Sequence, residues 1–362
     1  MSSEETAAGD IRAFTEEELI ELCRGLGHRG FRGRQIAEWL WKHHAKGFDE
    51  MLNVPKSLRA YLSERYSIRS ALADDIQRSA DGSIKVGYRL HDGEIVEGVL
   101  IPGGESDESS TGSRRLTACV SSQVGCSLRC AFCATARIPM RRNLSAGEIT
   151  DQVDDLGQRA LDTYGQPLSN IVYMGMGEPL SNYDEVVRSM RVLTSETGFG
   201  FSAKRITLST AGLAPQMKRL AEEGLAINLA LSLHAATDPL RRNLMSSARE
   251  YPLEALSDAV KHWHGIHGTR VTLEYLLLAG HNDSDEAARR LVRFAQGLPC
   301  KVNLIEYNPV VGIPFTASDR TVTNRFAAKL AEAGVTVTVR HSGGQDIDAA
   351  CGQLAGRSGR KT

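Results

Sequence analysis

The sequence lacks any long apolar run. Its apolar stretches fall short of the roughly 18 residues that a membrane span requires. The N-terminus, MSSEETAAGDIRAF, is acidic and has no apolar segment of the kind that secretory leaders carry. These absences argue against a membrane-spanning or secreted protein. We therefore expect a cytoplasmic protein with no membrane partner.

Excess charge and a disulfide framework are also missing. The chain has 43 Lys and Arg against 44 Asp and Glu, a formal net charge of −1. Any nucleic-acid binding must therefore come from local patches. The seven cysteines are an odd number in a large chain, which argues against a secreted disulfide scaffold. In a reducing compartment, clustered cysteines indicate a metal site or catalysis.

The first 70 residues predict a small helical domain. Thr15 and Glu18 form a capping-box pattern that opens a helix ending near Gly25, and further helices are predicted over 33–44 and 56–65. The segment from His28 to Lys46 contains five Lys or Arg residues and one acidic residue, with aromatic residues interleaved. A bundle with an aromatic core and an RNA-contacting module both remain open.

Residues 71–115 predict a β-hairpin and a linker. Two alternating runs, 84–90 and 95–101, are punctuated by Asp-Gly pairs, which is typical of a hairpin. The segment 103–113, GGESDESSTGS, is rich in Gly and Ser and acidic, which predicts an exposed loop.

From residue 116 onward, β-branched apolar runs alternate with amphipathic stretches. Predicted strands lie near 116–121, 170–175, 205–209, 227–233, 270–277, 301–306 and 335–340, and predicted helices near 145–160, 183–197, 213–224, 252–265, 284–297 and 320–333. This repeating βα unit predicts an α/β fold whose parallel sheet curls into a full or partial barrel over 116–355, followed by a flexible basic tail at 356–362. In such barrels the chemistry lies on the loops after the strands.

The strongest motif is a three-cysteine loop directly after the first barrel strand. Cys126, Cys130 and Cys133 have the spacing CxxxCxxC. Three thiolates can hold three irons of a 4Fe–4S cluster and leave the fourth iron open to a ligand such as S-adenosylmethionine. A structural zinc would need a fourth ligand, usually from a second Cys or His pair, and no such pair follows in the sequence.

This loop is similar to that of the radical S-adenosylmethionine superfamily. The turn MGMGEPL at 174–180 resembles the segment that binds the methionine part of the cofactor in that superfamily. The resemblance implies a partial (β/α)6 barrel with a 4Fe–4S cluster and S-adenosylmethionine. The cofactor-binding residues that it implies are Gly177, Glu178, Ser209, Ser232, Leu233, His234 and Asn308. Without the resemblance, each of these would more often be an ordinary loop, cap or core residue.

Three further pieces, CVSSQVGC at 119–126, VE at 96–97 and DIDAACGQL at 346–354, resemble the RlmN family of RNA methyltransferases, which is related to the Cfr methylases. The resemblance covers about residues 13–355. It implies that Cys351 carries a methyl group, that Cys119 resolves the intermediate through a disulfide, and that Glu97 accepts a proton from the base.

The resemblance also implies the substrates and partners. We expect methylation of carbon 2 of adenine in 23S rRNA and in tRNA, next to the anticodon, with two S-adenosylmethionine molecules per turnover. An electron donor such as flavodoxin and its reductase is implied, and a monomer is expected. A Cfr-like enzyme would methylate carbon 8 instead. Two further hypotheses stay open, namely a non-enzymatic RNA-binding protein with a structural metal site and a radical enzyme that acts on a small molecule.

Overall fold

The computed structural model describes residues 9–43, 45–68, 71–103, 114–340 and 342–356. Most of the predicted acidic loop at 103–113 and of the basic tail at 356–362 therefore lies outside the described residues. Within the described part of the chain, no helix combines the length and the apolar character needed to cross a membrane.

The N-terminal elements form a small helical unit with its own core. Its elements are β1 (Gly9–Asp10), α1 (Glu16–Gly25), α2 (Phe31–Trp41), α3 (Lys56–Arg65) and β2 (Tyr66–Ser67). The capping box at Thr15 is confirmed, since Thr15 and Glu18 exchange side-chain and backbone hydrogen bonds at the start of α1. The interleaved tryptophans differ in burial, because Trp41 lies in the core while Trp39 is only partly buried.

A buried arginine attaches this unit to the rest of the protein. Arg12 is 1% exposed, and its guanidinium contacts Asp151 and Asp154 of the helix that begins at Ala146 and lies 4.2 Å from the ring centroid of Trp41. A guanidinium so deeply buried is tolerated only with charged partners.

Three antiparallel strands follow: β3 (Ala71–Arg78), β4 (Ile84–Leu90) and β5 (Ile95–Pro102). The predicted hairpin of β4 and β5 is confirmed. The prediction missed β3, which pairs with β4 at the edge of the sheet and is mostly exposed. Its polar sequence, ALADDIQR, lacks the regular apolar alternation that reveals a half-buried strand.

Seven parallel strands and their helices form the core. The strands are β6 (Leu116–Cys119), β9 (Asn170–Tyr173), β10 (Ile206–Thr210), β11 (Asn228–Ser232), β12 (Val271–Leu277), β13 (Cys300–Glu306) and β14 (Val337–Arg340), and the helices are α4 (Ala146–Tyr164), α5 (Tyr183–Thr194), α6 (Ala214–Ala221), α7 (Asp238–Leu244), α8 (Leu253–His267), α9 (Asp285–Gln296) and α10 (Arg320–Glu332). A short ribbon of β7 (Gln123–Val124) and β8 (Arg142–Asn143) frames the three-cysteine loop.

The sheet order is β14-β13-β12-β11-β10-β9-β6-β5-β4-β3. Strands β6 and β9 to β13 are the six predicted barrel strands, and β14 adds a seventh parallel strand at the open end. The predicted α/β fold with a partial (β/α)6 barrel, a helical N-terminal part and a hairpin extension is confirmed. The carboxyl ends of the parallel strands meet at one rim of the barrel, where the site lies.

Candidate active site

A cavity of about 170 Å³ opens at the carboxyl ends of the barrel strands. It is lined by the three cysteines of the CxxxCxxC loop, by the MGMGEP turn and by the strand ends of the barrel. Cys351 of the C-terminal loop lines the same cavity. The fold therefore brings together residues that lie more than 200 positions apart in the sequence.

The three-cysteine loop is fixed to the rim by backbone hydrogen bonds. The Ala131 amide donates to the Leu244 carbonyl at 2.9 Å, and the Arg129 amide donates to the Ser246 hydroxyl at 3.0 Å. Burial raises the pKa of Cys126 to about 12, and burial together with the neighbouring thiols raises the pKa of Cys130 and Cys133. The three thiolates therefore need a strongly cationic centre to be stable.

The donor set fits an iron–sulfur cluster better than a mononuclear zinc. In the described part of the chain, no three Cys, His, Asp or Glu side chains come close enough together to hold a single metal ion. Three sulfurs arranged around a cavity suit the larger span of a cubane cluster. Cys126, Cys130 and Cys133 are the residues that would hold it.

The turn after β9 is shaped by two glycines. A Cβ at Gly175 would lie 2.7 Å from the Ser121 amide nitrogen, and a Cβ at Gly177 would lie 2.6 Å from the Cβ of Gln123. Gly177 also has a φ of +100°, in the region that favours glycine. The Gln123 side chain accepts a hydrogen bond from the Glu178 amide at 2.9 Å. Only glycine lets this turn pack against the strand that precedes the cysteines.

Glu178 is almost fully buried at the end of this turn. Its carboxylate accepts hydrogen bonds from the Thr210 hydroxyl and the Ala211 amide, both at 2.7 Å, and from the Leu180 amide at 3.1 Å. Burial raises the pKa of the carboxyl, although these three donors act in the opposite direction. Its Oε2 has one protein donor and keeps acceptor capacity toward the cavity, where an ammonium group could bind.

Ser209, Ser232 and His234 line the cavity from neighbouring strands, and the two serine hydroxyls are 3.4 Å apart. The side chain of Leu233 is fully buried, so only its backbone could contact a ligand. His234 has a φ of +55°, and its Nδ1 accepts from the Leu276 amide at 3.0 Å. Burial lowers the pKa of His234 to about 3, so the imidazole is neutral and protonated on Nε2.

Asn308 lies just after β13 and is 1% exposed. Its amide nitrogen donates to the Ser342 hydroxyl at 3.0 Å and to the Cys351 carbonyl at 3.5 Å, while its amide oxygen has no hydrogen-bond partner. A buried acceptor without a donor is costly, which fits an oxygen that a ligand would satisfy.

Cys119 lies close enough to Cys351 for the two residues to interact electrostatically. Cys119 ends β6 and is buried, and burial together with the nearby Cys351 raises its pKa to about 12. Both residues are free thiols, so the disulfide that the resemblance implies is not formed in this structure.

Glu97 lies on β5, beside the end of the chain. Its side chain is 2% exposed, and its Oε2 accepts from the Ala355 amide at 2.8 Å. Its Oε1 lies 3.7 Å from the Lys85 ammonium nitrogen. The carboxylate therefore faces the C-terminal loop that carries Cys351.

The sequence interpretation missed two charged residues of the cavity, Glu274 and Arg340. Glu274 is 5% exposed and accepts from the Asn303 side chain at 3.3 Å. The nearby Cys351 thiol raises the pKa of Arg340, whose guanidinium lies 3.9 Å from the Met174 sulfur. A charged residue inside the apolar run VTLEYLLL, and another at the end of the last strand, were the available signals.

The sequence also predicts five arginines on loops near the barrel mouth that could hold phosphates: Arg137, Arg141, Arg142, Arg241 and Arg242. The interpretation is wrong for Arg241, which is fully buried in α7 and donates to the Ala211 and Tyr251 carbonyls. Arg142 forms ion pairs with Asp92 and Glu148. The predicted loop around Arg241 is the helix α7, and the Arg241 guanidinium is hydrogen-bonded to the residue that follows β10.

Two family models match parts of the chain. The family model "Radical SAM superfamily" matches residues 120–292, and the model "Ribosomal RNA large subunit methyltransferase N-terminal domain" matches residues 10–68. The chain is 46% identical to a probable dual-specificity RNA methyltransferase RlmN of Christiangramia forsetii, over 96% of this chain and 97% of that protein. It is 43% identical to the dual-specificity RNA methyltransferase RlmN of Anaeromyxobacter dehalogenans, over 97% and 92% respectively.

A solved structure shows the same similarity. A radical SAM methyltransferase from Sphaerobacter thermophilus superposes with a TM-score of 0.90 and 42% sequence identity, covering 96% of this chain and 100% of that one.

Proposed function

The chain belongs to the RlmN family of radical S-adenosylmethionine RNA methyltransferases, and from this premise we propose that it forms 2-methyladenosine in 23S rRNA and in tRNA. The observation that carries this proposal is the position of Cys351, which lines one cavity with the three-cysteine loop and lies near the buried Cys119. An enzyme that used its cluster only to cleave a cofactor would not need the additional thiols.

The target atom explains why a radical route is required. Carbon 2 of adenine is an electron-poor aromatic carbon, so it cannot attack the sulfonium methyl group as a nucleophile would. When bound, the 4Fe–4S cluster and S-adenosylmethionine supply the methyl group and a deoxyadenosyl radical. The chain itself must hold the methyl group, accept a proton and release the product.

We assign these tasks to three side chains. Cys351 receives the methyl group in the cavity, and one hydrogen is then removed from that methyl so that its carbon can bond to the base. Glu97 takes the proton from carbon 2 when the radical adduct has given up one electron. Cys119 then attacks the Cys351 sulfur to form a disulfide. The bond between that sulfur and the methylene carbon breaks, the carbon keeps the electron pair and takes a proton, and the methylated RNA is freed.

The cofactor would be held by residues already described. We propose that Cys126, Cys130 and Cys133 bind the cluster, while Gly177 and Glu178 receive the amino-acid part of S-adenosylmethionine. Ser209, Ser232, Leu233, His234 and Asn308 would bind the remainder. A neutral His234 adds no positive charge to the cavity in which the cationic cofactor would bind.

The partners follow from the chemistry. RNA must present its adenine unstacked, since the cavity lies inside the barrel rim. The cluster needs a one-electron donor, for which we propose a flavodoxin and its reductase. We propose a cytoplasmic monomer, with the N-terminal helical domain (1–70) contacting RNA, the hairpin and linker at 71–115, the catalytic core at 116–355 and a basic tail at 356–362.

Nucleoside mass spectrometry tests the function. The enzyme, reconstituted without oxygen, is incubated with S-adenosylmethionine, a reductant and either a 23S rRNA fragment or tRNA. We expect 2-methyladenosine in both RNAs and none with the Cys130→Ala variant. The appearance of 8-methyladenosine would indicate a Cfr-like reaction, and unmethylated RNA from an iron-loaded enzyme that cleaves its cofactor would contradict the proposal.

A further inference from the structure

Lys85 is a buried lysine whose contacts lie at the edge of the candidate active site. It is on β4 and is 7% exposed. Its ammonium nitrogen lies 3.7 Å from Oε1 of Glu97 and donates to the Asp348 carbonyl at 3.4 Å. One contact is with the proposed proton acceptor, and the other is with the loop that carries the proposed methyl acceptor.

Glu97 contacts the same loop on the C-terminal side of Cys351. Its Oε2 accepts from the Ala355 amide at 2.8 Å. The Lys85–Glu97 pair thus holds the loop at Asp348, three residues before Cys351, and at Ala355, four residues after it. In this arrangement Cys351 lines the cavity.

Stability alone does not account for a lysine at this position. Burying an ammonium group costs several kcal/mol, and its attraction to a carboxylate often only offsets that cost. Replacing a buried ion pair by apolar side chains of similar volume is often neutral or stabilising. The ion pair of Lys85 thus contributes little to folding, but Lys85 contacts both Glu97 and the loop that carries Cys351. A role in the reaction explains this position better.

We infer that Lys85 is a positioning residue that, through Glu97 and the Asp348 carbonyl, holds the Cys351 loop docked so that Cys351 can accept its methyl group. The inference rests on the proposed function. It assigns Glu97 a second task, since the carboxylate anchors the loop before it serves as a base. The hydrogen bond between the Ala355 amide and Glu97 must break before Glu97 can reach carbon 2 of the substrate.

The test follows methylation of Cys351 in the absence of RNA. The holoenzyme is first shown by mass spectrometry to carry no methyl group on Cys351. It is then incubated with S-adenosylmethionine that carries a trideuterated methyl group, and the mass of the Cys351 peptide is followed over time. Lys85→Met should lower the initial rate about tenfold to a hundredfold, as expected for losing a charged hydrogen bond. Lys85→Arg should retain most of the rate because it can keep both contacts.

Two controls separate positioning from general damage. Lys261→Met makes the same change at an exposed lysine of α8 and should leave the rate unchanged. The melting temperature of Lys85→Met should fall, because Glu97 is left buried without its cation, whereas that of Lys85→Met/Glu97→Leu should stay near the wild-type value. Hydrogen exchange at 348–355 should become faster in both variants. Glu97→Gln keeps an acceptor for the Ala355 amide, so it should methylate Cys351 faster than Glu97→Leu, although both should fail on RNA.

The outcomes are distinct. One outcome is that the wild type methylates Cys351 and that Lys85→Met does so at the same rate, with unchanged hydrogen exchange at 348–355. This would overturn the inference and leave the proposed function standing. If the wild type itself places no methyl group on Cys351, the proposed function fails and this inference falls with it. If Lys85→Met does not fold, equal Cys351 methylation in Glu97→Gln and Glu97→Leu would overturn the inference.

Discussion

Substitution of Gly177 by alanine tests the proposed cofactor turn through a clash of known size. The new Cβ would lie 2.6 Å from the Cβ of Gln123, and the residue would have to keep a φ of +100°. An unfavourable φ costs about 1–3 kcal/mol, and overpacking costs a further 1–3 kcal/mol or so. Together the two costs amount to about 2–6 kcal/mol. The turn can reduce them only by changing its conformation and moving away from Gln123.

This movement would displace the groups proposed to bind the amino-acid part of the cofactor. The hydrogen bond from the Glu178 amide to Gln123 would break. At about 1.4 kcal/mol for each factor of ten, even 2 kcal/mol or so of strain would weaken S-adenosylmethionine binding by about thirtyfold. Equilibrium dialysis with labelled cofactor measures this loss directly, and iron content shows whether the cluster persists.

Gly224→Ala is the matched control. Gly224 also has a positive φ, of +72°, but a Cβ there would meet nothing within 4 Å. It should therefore lower stability slightly and leave cofactor binding unchanged. Wild-type affinity in Gly177→Ala would refute the assignment of this turn to the cofactor.

The remaining predictions concern the thiols and the attachment of the N-terminal unit. Cys351→Ala should abolish RNA methylation with the iron content unchanged, and any residual turnover would exclude Cys351 as the methyl carrier. Cys119→Ala should leave RNA covalently attached to the enzyme, visible as a denaturation-resistant band, and free methylated RNA at the wild-type rate would contradict its resolving role. Arg12→Ala should lower the free energy of unfolding by about 3–5 kcal/mol, because it removes the buried cation that pairs with Asp151 and Asp154. Urea denaturation measures this change, and a loss below about 1 kcal/mol would show that the unit is held by other contacts.

The regular elements could be predicted because their apolar periodicity is strong. The barrel strands lie where β-branched runs predicted them, and α1 begins at its capping box. Strand β3 was missed because its side chains are mostly exposed, and α7 because a seven-residue helix that opens with Asp-Pro resembles a loop.

The local motifs of the site could also be read from the sequence, but the contacts between them could not. CxxxCxxC and MGMGEPL are contiguous, so their spacing shows the chemistry. Glu178 is bonded to Thr210 and Ala211 of another strand, and Lys85 contacts a loop more than 260 positions away. Such contacts depend on how the sheet curls, which periodicity does not specify.

The most direct test of the account traces the methyl group itself. RNA is methylated by holoenzyme whose Cys351 already carries a trideuterated methyl group from labelled S-adenosylmethionine, and the nucleosides are then weighed. If the methyl group passes through Cys351 and loses one hydrogen there, the 2-methyladenosine will contain two deuterium atoms. Three deuterium atoms would show a direct polar transfer and contradict the account.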